Sequence, residues 1–139
     1  LEAVEFEPVK AAGLGQSFAQ PLQAVGGDAA IGEAVLEQDF AHRAAQMLRF
    51  PDILARFGGE EFVILLPDTG MAEAKQVAER IRHEIQTHRD KALPPYTVSL
   101  GVATAQGNAG QAADVEALIA EADAALYRAK QGGRNRVES

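Results

Sequence analysis

Two apolar runs, Ile53 to Phe57 and Phe62 to Leu66, bracket the tetrapeptide Gly58-Gly59-Glu60-Glu61. Runs of strand composition separated by so short a Gly-containing step read as a β-hairpin. Paired glycines at its tip let the backbone approach whatever lies above it, because no side chain intervenes. The two carboxylates that follow, Glu60 and Glu61, point in opposite directions on an extended backbone and suit different tasks. One such carboxylate can hold a hard divalent cation, as Mg²⁺ sites on nucleotides use one or two carboxylates together with phosphates. A solvated hairpin with a polar tip has the same pattern, and the tetrapeptide alone leaves both readings open.

The rest of the chain alternates helical and strand patterns around this hairpin. Ala3 to Glu7 has strand character and ends at Pro8. Ala11 to Asp28 is rich in Gly, Ala and Gln and reads as loop with some helix. Ile31 to Leu48 is Ala-rich and free of proline, and Pro51 stops it as a helix. Pro67-Asp68-Thr69-Gly70 leads to a second helix, Met71 to His88, whose apolar face is Met71, Ala74, Ala78, Ile81 and Ile85. Tyr96 to Ala103 reads as one strand. Asp114 can cap a third helix with the stripe Val115, Leu118, Ile119, Ala122, Leu126 and Ala129, which Gly132-Gly133 ends. Asn135 to Glu138 suits a last short strand. The pattern predicts an α/β fold, a mixed central sheet flanked by helices, in a single domain spanning 1–139.

Composition narrows the function. The chain is 47% hydrophobic and 24% charged, which argues against disorder. It has no cysteine, so thiolate metal sites and disulfides are excluded. Its formal net charge of -7 gives no general attraction to nucleic acid. No apolar run is long enough for a membrane span, and a cytoplasmic setting suits the chain. Against this acidic background, Arg128, Lys130, Arg134 and Arg136 form a basic cluster with no acid between them. It fits either a small anion or simply the favourable placing of cations at a helix C-terminus.

Gly58-Gly59-Glu60-Glu61-Phe62 is the GGEEF form of the motif that names the GGDEF family, and the chain resembles that family well beyond it. The similarity runs through Val63 to Thr69, Ala78 to Arg82, Thr97 to Ala103, Ala122 to Lys130 and Gly133-Arg134-Asn135, in the same order and spacing. The resemblance implies a nucleotide-cyclase-like, palm-like fold. It further implies a diguanylate cyclase, which condenses two GTP into cyclic di-GMP across a homodimer with Mg²⁺ (or Mn²⁺). On that basis Glu60 is a metal ligand and Glu61 lies near the attacking hydroxyl. Gly58 and Gly59 lie against the nucleotide, and Lys130 and Arg134 grip its terminal phosphates. Arg49-Phe50-Pro51-Asp52 matches the family's RxxD product-inhibition site for cyclic di-GMP, with Arg80 as its secondary arginine.

The N-terminal third departs from the family. Its DxDxFKxxND segment is matched here by Glu5-Phe6-Glu7-Pro8-Val9-Lys10, with Glu5 in place of the metal-binding aspartate and Gly13 in place of the guanine-reading asparagine. Gly27 to Glu33 stands for GHxxGD, with Glu33 as the guanine partner. A leader resembling LTGLxNR is absent, and the chain is expected to lack it through truncation or loss. These departures carry an alternative expectation: a degenerate domain that binds cyclic di-GMP or GTP and regulates an attached module. A dimerisation scaffold, or another nucleotide cyclase or palm-like activity, ranks below both. In either main case a sensor or output domain is expected on a larger, cytoplasmic or membrane-anchored protein.

Overall fold

The computed structural model describes residues 4–5, 9–13, 31–58, 61–88, 90–105 and 114–139. The elements run β1 (Val4–Glu5), β2 (Val9–Gly13), α1 (Ile31–Met47), β3 (Ile53–Gly58), β4 (Glu61–Leu65), α2 (Met71–Thr87), β5 (Tyr96–Thr97), β6 (Leu100–Thr104), α3 (Val115–Gln131) and β7 (Val137–Glu138). A 5-stranded sheet has the order β3-β4-β2-β6-β7, and β1 and β5 form a separate 2-stranded sheet. The large sheet is mixed: β3 and β4 are the antiparallel hairpin, while β2, β6 and β7 join their neighbours in parallel. The α/β architecture read from the sequence is the one observed.

Strand alternation divides the core into two layers. Phe62, Ile64 and Leu66 face α1 and α2, together with Leu100 and Val102 of β6. Val63, Leu65 and Ala103 face the other side, where Leu118 and Ala122 of α3 cover them. This is the period-2 rule acting on a strand buried on both faces. On the first face Phe40 of α1 meets Phe62 of β4 with ring centroids 5.0 Å apart, and both rings are fully buried. Each such ring adds about 2–3 kcal/mol by leaving water.

The helix stripes follow the predicted periods closely. Ala74, Ala78, Ile81 and Ile85 of α2 are buried as expected, but Met71 at the first turn is exposed. In α3, Leu118, Ala122, Leu126 and Ala129 are buried, Ala125 joins them, and Val115 and Ile119 are only half-buried. Asp114 caps α3, its Oδ1 accepting from the Ala117 amide at 3.1 Å.

Two sequence readings are corrected. Tyr96 to Ala103 is not one strand: β5 pairs with β1, and β6 starts at Leu100 in the other sheet. Composition cannot reveal that break, since Val98 and Ser99 between them are buried too. The strand expected over Ala3 to Glu7 is present at Val4–Glu5, and Ala3, Phe6 and Glu7 lie outside the described residues. The stretch expected as loop from Ala11 contributes instead to β2, the central strand. Pro8, with no N–H to give a ladder, stands between these two strands in the sequence.

Candidate functional site

Cross-strand register fixes what meets at each edge of the sheet. Val9 pairs with Phe62 of β4 and with Leu100 of β6, and Leu100 pairs in turn with Val137 of β7. These four residues form one row across four strands. The hairpin tip, at Gly58 and Glu61, precedes Phe62 by a single residue. The loop containing Arg134 precedes Val137. Both therefore emerge at the same edge, three strand spacings or roughly 14 Å apart. That separation suits one nucleotide with an extended phosphate tail.

The tip is built by the hairpin itself. Gly58 pairs with Glu61 after a register shift at Arg56/Gly58, so the ladder is irregular where Gly58 lies. Glu61 is half-buried. Arg56 below the tip holds β3 to α1, its Nη2 lying 2.8 Å from Glu37 Oε2, and the Glu37 side chain is buried. Gly59 and Glu60 lie outside the described residues.

The residues expected to grip phosphate sit where α3 ends. Lys130 is in the last turn and half-buried, with Arg128 beside it, so two cations face the negative end of the helix. Gly132 closes the helix through its amide to Arg128 O at 2.8 Å. Gly133, Arg134 and Asn135 then all take positive φ, at 114°, 61° and 44°. For Arg134 that is an unusual backbone state, held by surrounding contacts. Its amide donates to Ala129 O at 3.0 Å, and the Asn135 amide donates to Ser99 Oγ at 3.1 Å.

The N-terminal residues are not gathered there in the expected way. Glu5 lies in β1 beside Thr97, outside the sheet that carries the hairpin. The strand flanking β4 presents Val9, Lys10, Ala11 and Ala12 instead, with no carboxylate. Gly13, expected at the position of a guanine-reading residue, ends β2 opposite Thr104, at the far edge from the tip. Glu33 lies in the first turn of α1. Among the described residues no group of three or more His, Cys, Asp or Glu side chains is placed to hold a metal ion. No helix among them is long and apolar enough to cross a membrane.

A second site lies at the opposite end of the hairpin, where β3 begins and Ile53 pairs with Leu65. Arg49, Asp52 and Arg80 line one cleft of about 380 Å³ with Thr69 and Glu73. Arg49-Phe50-Pro51-Asp52 folds as a tight turn: the Asp52 amide donates to Arg49 O at 2.7 Å, and Asp52 Oδ2 accepts from the Arg49 amide at 3.0 Å. The Asp52 side chain is only 4% exposed, while that of Arg49 is 63% exposed. Among the described residues Asp52 Oδ1 is buried with no hydrogen-bond partner, its distance to Arg49 Nε being 3.8 Å. Arg49 Nη2 donates instead to Thr69 Oγ1 at 3.2 Å, and Thr69 donates onward to Pro67 O. A buried acceptor left open beside two arginines is suited to a ligand that donates N–H groups and carries negative charge. Thr69 was not among the site residues read from the sequence. Its position just before α2, in a proline-containing turn, marks it only as a loop residue.

A family model described as "Diguanylate cyclase, GGDEF domain" matches residues 25–136. The chain belongs to the GGDEF family. The response regulator PleD of Caulobacter vibrioides is 40% identical over 112 residues, which is 77% of this chain and 24% of that protein. Diguanylate cyclase DgcM of Escherichia coli K12 is 46% identical over 86 residues, 62% of this chain and 20% of that protein. The chain thus spans a quarter or less of the length of these curated relatives. Solved GGDEF domains share the fold. The active GGEEF domain of a diguanylate cyclase from Vibrio cholerae superposes with a TM-score of 0.66 at 26% identity, covering 77% of this chain and 67% of that one. The GGDEF domain of DgcB from Caulobacter crescentus, in complex with c-di-GMP, gives 0.62 at 30% identity, covering 76% and 63%. The palm-like fold expected for a GGDEF domain is therefore established.

Proposed function

We propose that this chain is a diguanylate cyclase domain within a longer cytoplasmic or membrane-anchored protein, joining two GTP into cyclic di-GMP as half of a homodimer. The observation that carries this reading is the shared register of Phe62, Val9, Leu100 and Val137, which puts the GGEEF tip and the Arg134 loop on one edge. In this reading Gly58 and Gly59 lie against the nucleotide, and Lys130 and Arg134 bind its terminal phosphates. The 3′-oxygen of one GTP forms a bond to the α-phosphorus of the GTP held by the partner. The bond from that phosphorus to the bridging oxygen breaks, and pyrophosphate leaves with the electron pair. Glu61 accepts the proton of the attacking hydroxyl. Each half-reaction repeats this, so two pyrophosphates are released. Holding both reactants in line supplies much of the rate in such transfers.

Mg²⁺ (or Mn²⁺) belongs to the proposal through Glu60 and the nucleotide's own phosphates. The described residues do not complete a metal site around it: Glu5 pairs beside Thr97, and β2 brings no carboxylate to the tip. The cleft of Arg49, Asp52 and Arg80 is proposed as the product-inhibition site, supported by the open acceptor at Asp52.

Incubation with GTP and Mg²⁺, followed by chromatography for cyclic di-GMP, tests the reading. Product is expected from a dimerised chain, with a rate that falls as product accumulates. The absence of carboxylates from β2 favours one second reading, a regulatory module that binds cyclic di-GMP without making it. No product, together with cyclic di-GMP binding that Arg49→Ala removes, would establish that alternative and discard the first.

A further inference from the structure

Arg82, on α2, reaches across to the loop that carries Arg134. Its Nη1 donates to Asn135 Oδ1 at 3.0 Å and also to Gln86 Oε1 at 2.8 Å, while its Nε donates to Glu79 Oε2 at 2.9 Å. The guanidinium is thus fixed on its own helix from two sides and offers one directed contact to Asn135. Its side chain is 18% exposed, so water competes weakly for that contact. Asn135 is held at its other end, with its amide on the hydroxyl of buried Ser99 at 3.1 Å. Two separate elements therefore clamp Asn135, the residue directly after Arg134.

The clamp acts where the backbone most needs it. Arg134 and Asn135 both have left-handed φ, at 61° and 44°. Asparagine tolerates that region, whereas arginine enters it only when its surroundings over-determine the turn. Fixing Asn135 therefore fixes the direction in which the Arg134 Cα–Cβ bond leaves the chain.

We infer that Arg82 is a positioning residue for triphosphate binding: through Asn135 it sets the left-handed turn that aims Arg134 at the terminal phosphates. This rests on the reading of Lys130 and Arg134 as phosphate-binding groups. It adds a residue on a different helix that touches no ligand itself.

Titration calorimetry with GTP and Mg²⁺, compared with GMP, on wild type, Arg82→Ala, Asn135→Gly and the double variant decides it. Asn135→Gly keeps the freedom for positive φ and removes only the acceptor, so it carries the test even where Arg82→Ala fails to fold. Each single variant is expected to weaken GTP binding about tenfold, the scale of one charge-assisted hydrogen bond. GMP binding should stay within about twofold, because Arg134 has no terminal phosphate to meet there. The double variant should be no weaker than the singles. Equal losses for GTP and GMP, additive losses, or GTP binding unchanged in the variants would each overturn the inference while leaving the phosphate-binding reading in place. A wild-type chain that binds GTP no better than GMP overturns that reading and the inference with it.

Discussion

The Tyr96 hydroxyl donates to Asp39 Oδ2 at 2.7 Å, tying β5 to the middle of α1. Asp39 also receives Arg43 Nε on both carboxylate oxygens at 2.9 Å. Burial by itself would raise the Asp39 pKa, but the bonds from Arg43 and Tyr96 and the charge of Arg43 outweigh it and leave the carboxyl lowered. The phenol of Tyr96 is pushed well above its ordinary value, by burial first and then by its bond to Asp39 and the charge there.

Tyr96→Phe is therefore expected to cost about 1–2 kcal/mol near neutral pH, since Asp39 loses a partner in a partly buried site. The gap between wild type and variant should depend on pH in two windows. The phenol's folded pKa is raised, so its contribution is complete below the unfolded value of about 10 and is lost as pH climbs above it. The carboxyl's folded pKa is depressed, so its contribution holds above about pH 4 and disappears as pH falls through the lower folded value. Urea midpoints measured across pH check this. A gap that stays constant from neutral to strongly alkaline pH counts against the assigned bond.

Gly101 in β6 lets α3 lie directly on the sheet. A Cβ there would collide with the carbonyl oxygen of Ala122 and the backbone nitrogen of Leu126, and also meet Leu126 Cα at 2.9 Å. These are helix backbone atoms, which cannot swing aside as a side chain tip can. Gly101→Ala should cost about 3 kcal/mol or more. Gly70 is the control: nothing lies within 4 Å of its Cβ position, and it stands as the uncapped N-cap of α2 at φ -80°, ψ 171°. Gly70→Ser should stabilise by about 0.5 kcal/mol by supplying a capping oxygen. Thermal midpoints moving in the same direction for both variants would refute the pair.

How much of this was legible beforehand differs by element. The hairpin, the α2 face Ala74-Ala78-Ile81-Ile85 and the Asp114 cap were legible because each depends on local periodicity or a local hydrogen bond. Arg49, Asp52 and Arg80 were identified by family resemblance, and they converge because the RxxD turn and α2 flank one end of the hairpin. The Arg82–Asn135 clamp was not legible, since 53 positions separate the two residues and neither type signals the other. The β2 strand was missed for a related reason. Val9-Lys10-Ala11-Ala12-Gly13 has weak strand composition, and only its two neighbours, β4 and β6, make it central. Tertiary pairing overrode propensity there.

At the cleft, Arg49→Ala should separate regulation from folding. The Arg49 side chain is largely exposed and its pairing with Asp52 is loose, so stability should change by no more than about 0.5 kcal/mol. Cyclic di-GMP affinity should fall by about 30-fold or more, because a charged donor to a phosphate or base is lost. Arg80→Ala should fall in the same direction from the other wall of the cleft. Calorimetry with cyclic di-GMP provides the check, and an Arg49→Ala protein that still binds as wild type rules out this site.

The hairpin carboxylates should separate by kinetics. Glu61 pairs across the tip with Gly58 and is half-buried, while Glu60 precedes it in the sequence and lies outside the described residues. A metal ligand affects both nucleotide binding and turnover, whereas a proton acceptor affects turnover alone. Glu60→Ala should therefore weaken Mg²⁺-dependent GTP binding and reduce product formation to background. Glu61→Ala should lower kcat by about a hundredfold with GTP affinity little changed, the usual scale for general base assistance. Glu61→Gln, which keeps the shape and loses the basicity, should match Glu61→Ala in kcat. If Glu61→Gln retains wild-type turnover, Glu61 takes no proton and its place at the tip is structural.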